Sequence, residues 1–246
     1  LVGNFGRYAD GNVSSALIAS KKARNSNATM PELIADNATK RAAVDESMGR
    51  LQAAAENLDA SSSETFTDAV QAVMDDLVAG IADPGDAISL LGPLAGFTPS
   101  AYSGVGDVGA ALGVAQEATS SLLRRAALAA IGKVLASYAP SSYDEAISTM
   151  LVVTELIDAE ILVAGDSGDD ESYKALIALR QAVVSALTTT GATLPNLETF
   201  NFRAALPALV MANRLYQDTA RADELVQQAN PIHPAFMPTT VKALAR

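Results

Sequence analysis

Apolar residues recur every three or four positions along most of this chain, the spacing that gathers side chains on one side of an α-helix. Thr29 and Glu32 form a capping-box pair with Pro31 in the first turn. Val44, Met48, Leu51, Ala55 and Leu58 then make one apolar stripe, which "ASSS" interrupts. Phe66, Val70, Val73, Leu77 and Ile81 make a second stripe, and "ADPGD" stops it. Residues 84–113 are rich in Gly and Pro and predict a long irregular connection carrying one short helix.

A strongly apolar helix is predicted over 114–138, ended by "APSS". Ser142 and Glu145 cap the next, with Ile147, Met150, Thr154, Ile157 and Ile161 on one face. "AGDSGDDES" predicts a turn. Tyr173, Leu176, Ile177, Val183, Val184 and Leu187 continue the pattern until Gly191. No segment alternates well enough to predict a core strand. After Gly191 the pattern weakens: "ATLPNLETFNFRAALP" suits a linker or an isolated strand. Short helices are predicted over 207–216 and 221–229, followed by a Pro-rich tail.

The expected fold is therefore mainly α: a helical body over 1–195 and a small module over 196–246. Composition agrees, because hydrophobic residues make up 49% and aromatics only 5%, with no Trp. Closely packed helices tolerate that balance better than a β-sandwich does. The formal charge of -11 disfavours extended contact with nucleic acid or anionic lipid. Lys21, Lys22 and Arg24, the densest basic run, read as a solvated helix end. No apolar run approaches the roughly 18 residues that span a bilayer. The absence of Cys excludes disulfides and thiolate chemistry, and it fits a reducing compartment. The first residue is Leu, with no signal-peptide pattern after it, so the chain is expected to begin partway through a longer protein.

Candidate chemistry is sparse. "GVGDVG" at 104–109 matches a dinucleotide-binding pattern, but "FTPSAYS" before it is no strand and Asp107 would oppose a phosphate. It reads as an interhelical turn. "GDSGDDE" at 165–171 lacks the ligand spacing of an EF-hand loop and reads as a solvated turn whose acids favour the next helix start.

"ANPIHPAFMP" holds the only histidine, His233. A metal site would need partners, and no second His or Cys exists. Pro231, Pro234 and Pro238 fix backbone angles there. Ile232 and Phe236 are expected to pin the tail onto the two short helices, with His233 hydrogen-bonded inside the corner. The predicted docking corner comprises Leu215, Tyr216, Asp218, Leu225, Asn230, Ile232, His233, Pro234, Phe236 and Pro238. No catalytic residue, metal or cofactor is expected.

The order of the last module is a helix ending in Leu-Tyr, an acidic turn, a helix, Asn-Pro, an apolar residue and Pro. It resembles the helical half of a LysM module. The blocks "SYDEAI", "DAEI", "GDDESYKALIALRQAVVSALTTTGATLPNL", "LPALV" and "RLYQDTARADELV" are similar, in order and spacing, to the DNA circularisation protein family of Mu-like phages and prophages, the phage Mu N protein family. The similarity covers 142–246; before that it extends only to Ala/Leu-rich character. Relatives carry one more residue between the Ile and His positions, and Gly-Gly where Thr239 and Thr240 stand here. Thr enters φ > 0 with difficulty, which counts against the closing hairpin of a full LysM module.

The resemblance implies a structural virion protein of a contractile tail, located at the baseplate, hub or tube end and assembled in the host cytoplasm. It implies an N-terminal domain of mixed or β character before this segment. Partners would be hub, tube or wedge components and further copies of the chain in a ring, six being favoured, without direct nucleic-acid or membrane contact. Alternatives are a peptidoglycan-binding LysM-type module, for which Tyr216, Asn230 and Phe236 are the groove candidates, an accessory factor in DNA circularisation, and a glycan hydrolase.

Overall fold

A computed structural model describes residues 30–59, 61–100, 104–229 and 231–244. The capping pair at Thr29 and the basic run at Lys21, Lys22 and Arg24 lie outside the described residues. Helices dominate: α1 (Met30–Glu56), α2 (Ser63–Gly80), α3 (Pro84–Ala95), α4 (Gly106–Leu135), α5 (Tyr143–Asp166), α6 (Asp170–Gly191), α7 (Ala208–Tyr216) and α8 (Ala222–Ala229). Two short strands, β1 (Leu197–Asn201) and β2 (Thr240–Leu244), complete the set. The mainly α fold expected from periodicity is what the chain adopts.

The chain divides into two compact units. Described residues through Ala139, with Val152–Val184, form the first; Pro140–Leu151 and the described residues from Ser185 onward form the second. The start of α5 and the last residues of α6 thus belong to the second unit.

In the first unit, α1 packs along α2. Phe66, Val70, Val73 and Leu77 are all buried, as their spacing predicts, while Leu58 lies past the end of α1 and is exposed. Of the stretch 84–113, expected to be irregular apart from one short helix, 84–95 is such a helix and 106–113 already belong to α4. Asp83 caps α3 by accepting from the Gly85 amide at 2.8 Å, and Pro84 occupies the first turn, where its missing N–H has no intrahelical partner to lose. Pro93 falls in the last turn of α3 and ends little that would have continued. Ile88, Leu90, Leu91 and Leu94 are buried, so apolar packing and two well-placed prolines build the short helix of this Gly- and Pro-rich stretch.

α4 likewise starts at Gly106, eight residues earlier than predicted, and stops at Leu135. Its start explains "GVGDVG". Gly106 takes φ 80°, which favours glycine, and a Cβ on Gly109 would sit 2.5 Å from the Gly104 carbonyl. Both glycines serve the turn into α4. Gly109→Ala is expected to lose about 1–3 kcal/mol of stability through that overlap. Gly113→Ala, with nothing within 4 Å of the new methyl, should gain about 0.5–1 kcal/mol from helix propensity. Paired denaturant titrations check both signs.

The acidic turn is short. Asp169 accepts from the Ser172 amide at 3.2 Å at the start of α6, and Asp170 and Glu171 occupy the first turn, where the helix N-terminus favours negative charge. Among the described residues no group of three acids or His is placed to hold a metal ion. No described helix is long and apolar enough to cross a membrane.

In the second unit, β1 and β2 pair antiparallel over five residues, from Leu197 opposite Leu244 to Asn201 opposite Thr240. The order β–α–α–β therefore closes on itself, against the expectation drawn from Thr239 and Thr240. The physical reason is that neither threonine needs positive φ; Gln217, at φ 58° as the C-cap of α7, is the non-glycine residue that takes it among those described. Burial in β2 picks out Val241 and Ala243 on one face.

Candidate functional site

The second unit has its own core. Ala208, Met211 and Ala212 of α7, Ala222 and Leu225 of α8, and Met237, Val241 and Ala243 of the tail and β2 are buried together. Phe200, Phe202, Leu206, Leu215 and Tyr216 pack around them. The start of α5 is fastened to the same unit. Ser142 accepts from the Glu145 amide at 3.1 Å as an N-cap. The Leu197 amide donates to Asp144 at 2.7 Å, the Tyr143 amide donates to the Pro195 carbonyl at 3.1 Å, and Gln228 donates to the Ser141 hydroxyl at 2.7 Å.

The predicted corner residues divide into two groups. Leu225 is fully buried and Leu215 half-buried in this core. Asp218 caps the one-turn Thr219–Arg221 helix by accepting from the Ala220 amide at 2.9 Å. Tyr216 donates to the Leu244 carbonyl at 3.2 Å, joining α7 to β2, and the Arg221 guanidinium lies 3.6 Å over its ring. Arg221 also makes a two-pronged contact with Glu224, at 2.9 and 2.8 Å. Burial, reinforced by the Glu224 charge, pushes the Tyr216 phenol above its ordinary pKa. Asn230 lies outside the described residues.

The tail residues behave otherwise. Ile232 is 108% exposed and Phe236 73% exposed, so neither pins the tail to the helices. Met237, fully buried, does that instead. Backbone bonds share the work: Ala208 donates to Pro234 at 2.8 Å, Met237 to Leu206 at 3.1 Å, and Phe202 to Thr239 at 2.7 Å. His233 is held in the corner, its Nδ1 accepting from the Ala235 amide at 3.0 Å and its carbonyl from the Phe236 amide at 2.9 Å. The rings of His233 and Phe236 stand 6.1 Å apart. Pro234 and Pro238 are exposed as well. Ala229, Pro231, Ile232, His233, Phe236 and Pro238 together line an open apolar groove of about 530 Å³.

Met237 escaped the sequence reading, although a signal exists. Counting back by twos from the inward Val241 and Ala243 gives Met237 their parity, and Phe236 the opposite one. Three prolines obscure that alternation.

A second gathering of charge lies inside the first unit and was not foreseen. Glu160 of α5, 2% exposed, accepts from Arg124 Nε at 2.6 Å and from Arg125 Nε at 2.8 Å. Arg124 continues to Glu117 and Ser121, each at 2.9 Å, and Arg125 to Asp169 at 2.6 Å and Ser172 at 2.9 Å. Burial alone would lower the Arg124 pKa, but the contacts with Glu160 and Glu117 outweigh it and raise the value. Both Glu160 oxygens are occupied, so the group is a cross-link between α4 and α5. The adjacent Arg pair inside "SSLLRRAALAA" is the signal that could have marked it.

No protein-family model matches the chain, and no curated protein is significantly similar to it.

Proposed function

We propose that this chain is a structural protein of a contractile phage tail, at the baseplate, hub or tube end, and that it joins subunits through its C-terminal module. The observation that carries the reading is the apolar groove around Ile232 and Phe236. It stands in solvent on a module whose own core is already filled by Met211, Leu225 and Met237. Large apolar side chains held out in this way by a rigid proline-fixed corner are suited to a neighbouring protein surface. The ordered sequence blocks similar to the Mu-like phage family supply the context of a tail.

The alternative of a glycan-binding module draws less support. Tyr216 is covered by Arg221 and tied to Leu244, which leaves Phe236 as the exposed aromatic of the three candidates in the described residues. A pull-down on purified peptidoglycan is expected to recover no protein.

Two experiments test the tail reading. Cryo-EM of tails from the strain that encodes this chain should show density for its helical body and β–α–α–β module; tails without such density overturn the proposal. Ile232→Ser combined with Phe236→Ser should leave circular dichroism unchanged yet reduce incorporation into tails at least tenfold. Full incorporation of the folded double variant would remove the groove from the interface.

A further inference from the structure

The α1–α2 hairpin carries a groove of about 570 Å³ that no other described element fills. Arg50, Ala53 and Ala54 line it from α1, at helical spacing i, i+3, i+4. Asp68, Ala69 and Ala72 line it from α2, at i, i+1, i+4. Four of its nine lining residues are alanines, and Asn57, Ser62 and Thr65 complete it toward the hairpin turn; the alanines are a surface over which another helix can approach closely.

The rims carry the more specific information. Arg50 and Asp68 are both exposed, border the same groove, and make no ion pair with each other or with any other described residue. Several other charges in this unit are engaged, Lys40 with Asp36, Lys133 with Asp75 and Arg180 with Asp158, while acids such as Asp45, Glu46 and Asp76 also stand without an ion pair among the described residues; what sets Arg50 and Asp68 apart is that they flank one groove. A cation and an anion without such partners, on the two sides of one groove, form a self-complementary pattern. A two-fold axis through the groove sets Arg50 of one copy against Asp68 of the other, and the reverse pair follows by symmetry. The alanine floors then face each other, and four helices pack with both charge pairs at the margin.

We infer that the occupant of this groove is a second copy of the chain, docked hairpin to hairpin about a two-fold axis with reciprocal Arg50–Asp68 pairs. A chain of net charge -11 repels its own copies at long range, so self-association needs local compensation such as the reciprocal Arg50–Asp68 pairs. The pairing does not rest on the tail reading. Either proposal can fail while the other stands.

Reciprocity gives a test that a merely structural role could not pass. The purified chain should show a monomer–dimer equilibrium by analytical ultracentrifugation at up to about 200 μM, the range that populates a micromolar dimer. Arg50→Glu alone sets a second carboxylate against Asp68 at both pairs, and Asp68→Arg alone sets two guanidinium groups together at both. Each variant should weaken dimerisation at least tenfold while circular dichroism stays unchanged. An equimolar mixture of the two should recover a dimer, seen as a one-to-one heterodimer in native mass spectrometry. In that heterodimer one contact joins the native Arg50 to the native Asp68, and the other joins the two introduced charges in reversed order. Both are therefore opposite in sign. Ala69→Gln, which fills the floor and leaves every charge in place, should weaken the dimer as well. A wild-type chain that stays monomeric throughout, single variants that dimerise normally, or a mixture that yields no heterodimer would each overturn the pairing.

Discussion

Replacing Glu160 by alanine is expected to lower the unfolding free energy by about 3–5 kcal/mol, the largest effect of any single substitution considered for this protein. Glu160 accepts from two guanidinium groups at once. Arg124 is 8% exposed, so removal of the carboxylate leaves a buried cation whose remaining partners are the more exposed Glu117, the Ser121 hydroxyl and the Phe97 carbonyl at 3.3 Å. The cost comes from the stranded charge and not from a lost attraction. For that reason Arg124→Leu combined with Glu160→Leu should be less harmful than the two single changes added together. A double-mutant cycle in urea should return a coupling energy of about 1–3 kcal/mol. Equal and additive losses would show that the network contributes only packing.

Acid acts on the outer end of the same network. Contacts with Ser172, through its side chain and its amide, and then with Arg125, hold the Asp169 carboxyl below its ordinary pKa. A lowered folded-state value means that the stabilisation is present above the usual carboxylate range and is lost as pH falls through the folded value, below about 4. Melting scans between pH 7 and pH 3 should therefore show a steeper acid loss in the native chain than in Asp169→Asn.

Met237→Ala is the second large expectation, a loss of about 2–5 kcal/mol confined to the second unit. The side chain is fully buried among Met211, Leu225 and Val241, and its removal leaves a cavity in a small core. Such a core has little means to collapse around the void. Ile232→Ala and Phe236→Ala should stay within about 0.5 kcal/mol, because both side chains already face water. The chain has two compact units, so a single global transition is the wrong observable. Hydrogen exchange resolved to 197–244 measures the local free energy, and faster exchange there with unchanged protection in α2 and α4 is the expected outcome.

These contrasts show how much of the molecule its sequence discloses. The stripes of α1 and α2 and the cap at Ser142 were legible because helix geometry is local. Phe66, Val70, Val73 and Leu77 need only their own spacing to define a face. The corner was partly legible: Leu225, Asp218 and the internal hydrogen bond of His233 stand where the pattern suggested. Ile232 and Phe236 do not. The direction of an irregular, proline-rich tail is set by backbone bonds to residues about thirty positions away, such as those to Leu206 and Ala208.

The same division holds across the whole chain. Sequence by itself determined a mainly α protein, the places where most helices start and stop, an acidic surface, and the absence of thiol chemistry. Each follows from residue identity or from spacing within one turn. Tertiary structure alone decided that β1 pairs with β2, that α4 begins at Gly106, and that Glu160 finds two arginines 35 and 36 residues away. It also brought Arg50 and Asp68 to one groove. Pairings of this kind depend on which distant segments share an interior, and chain distance along the sequence carries no record of that.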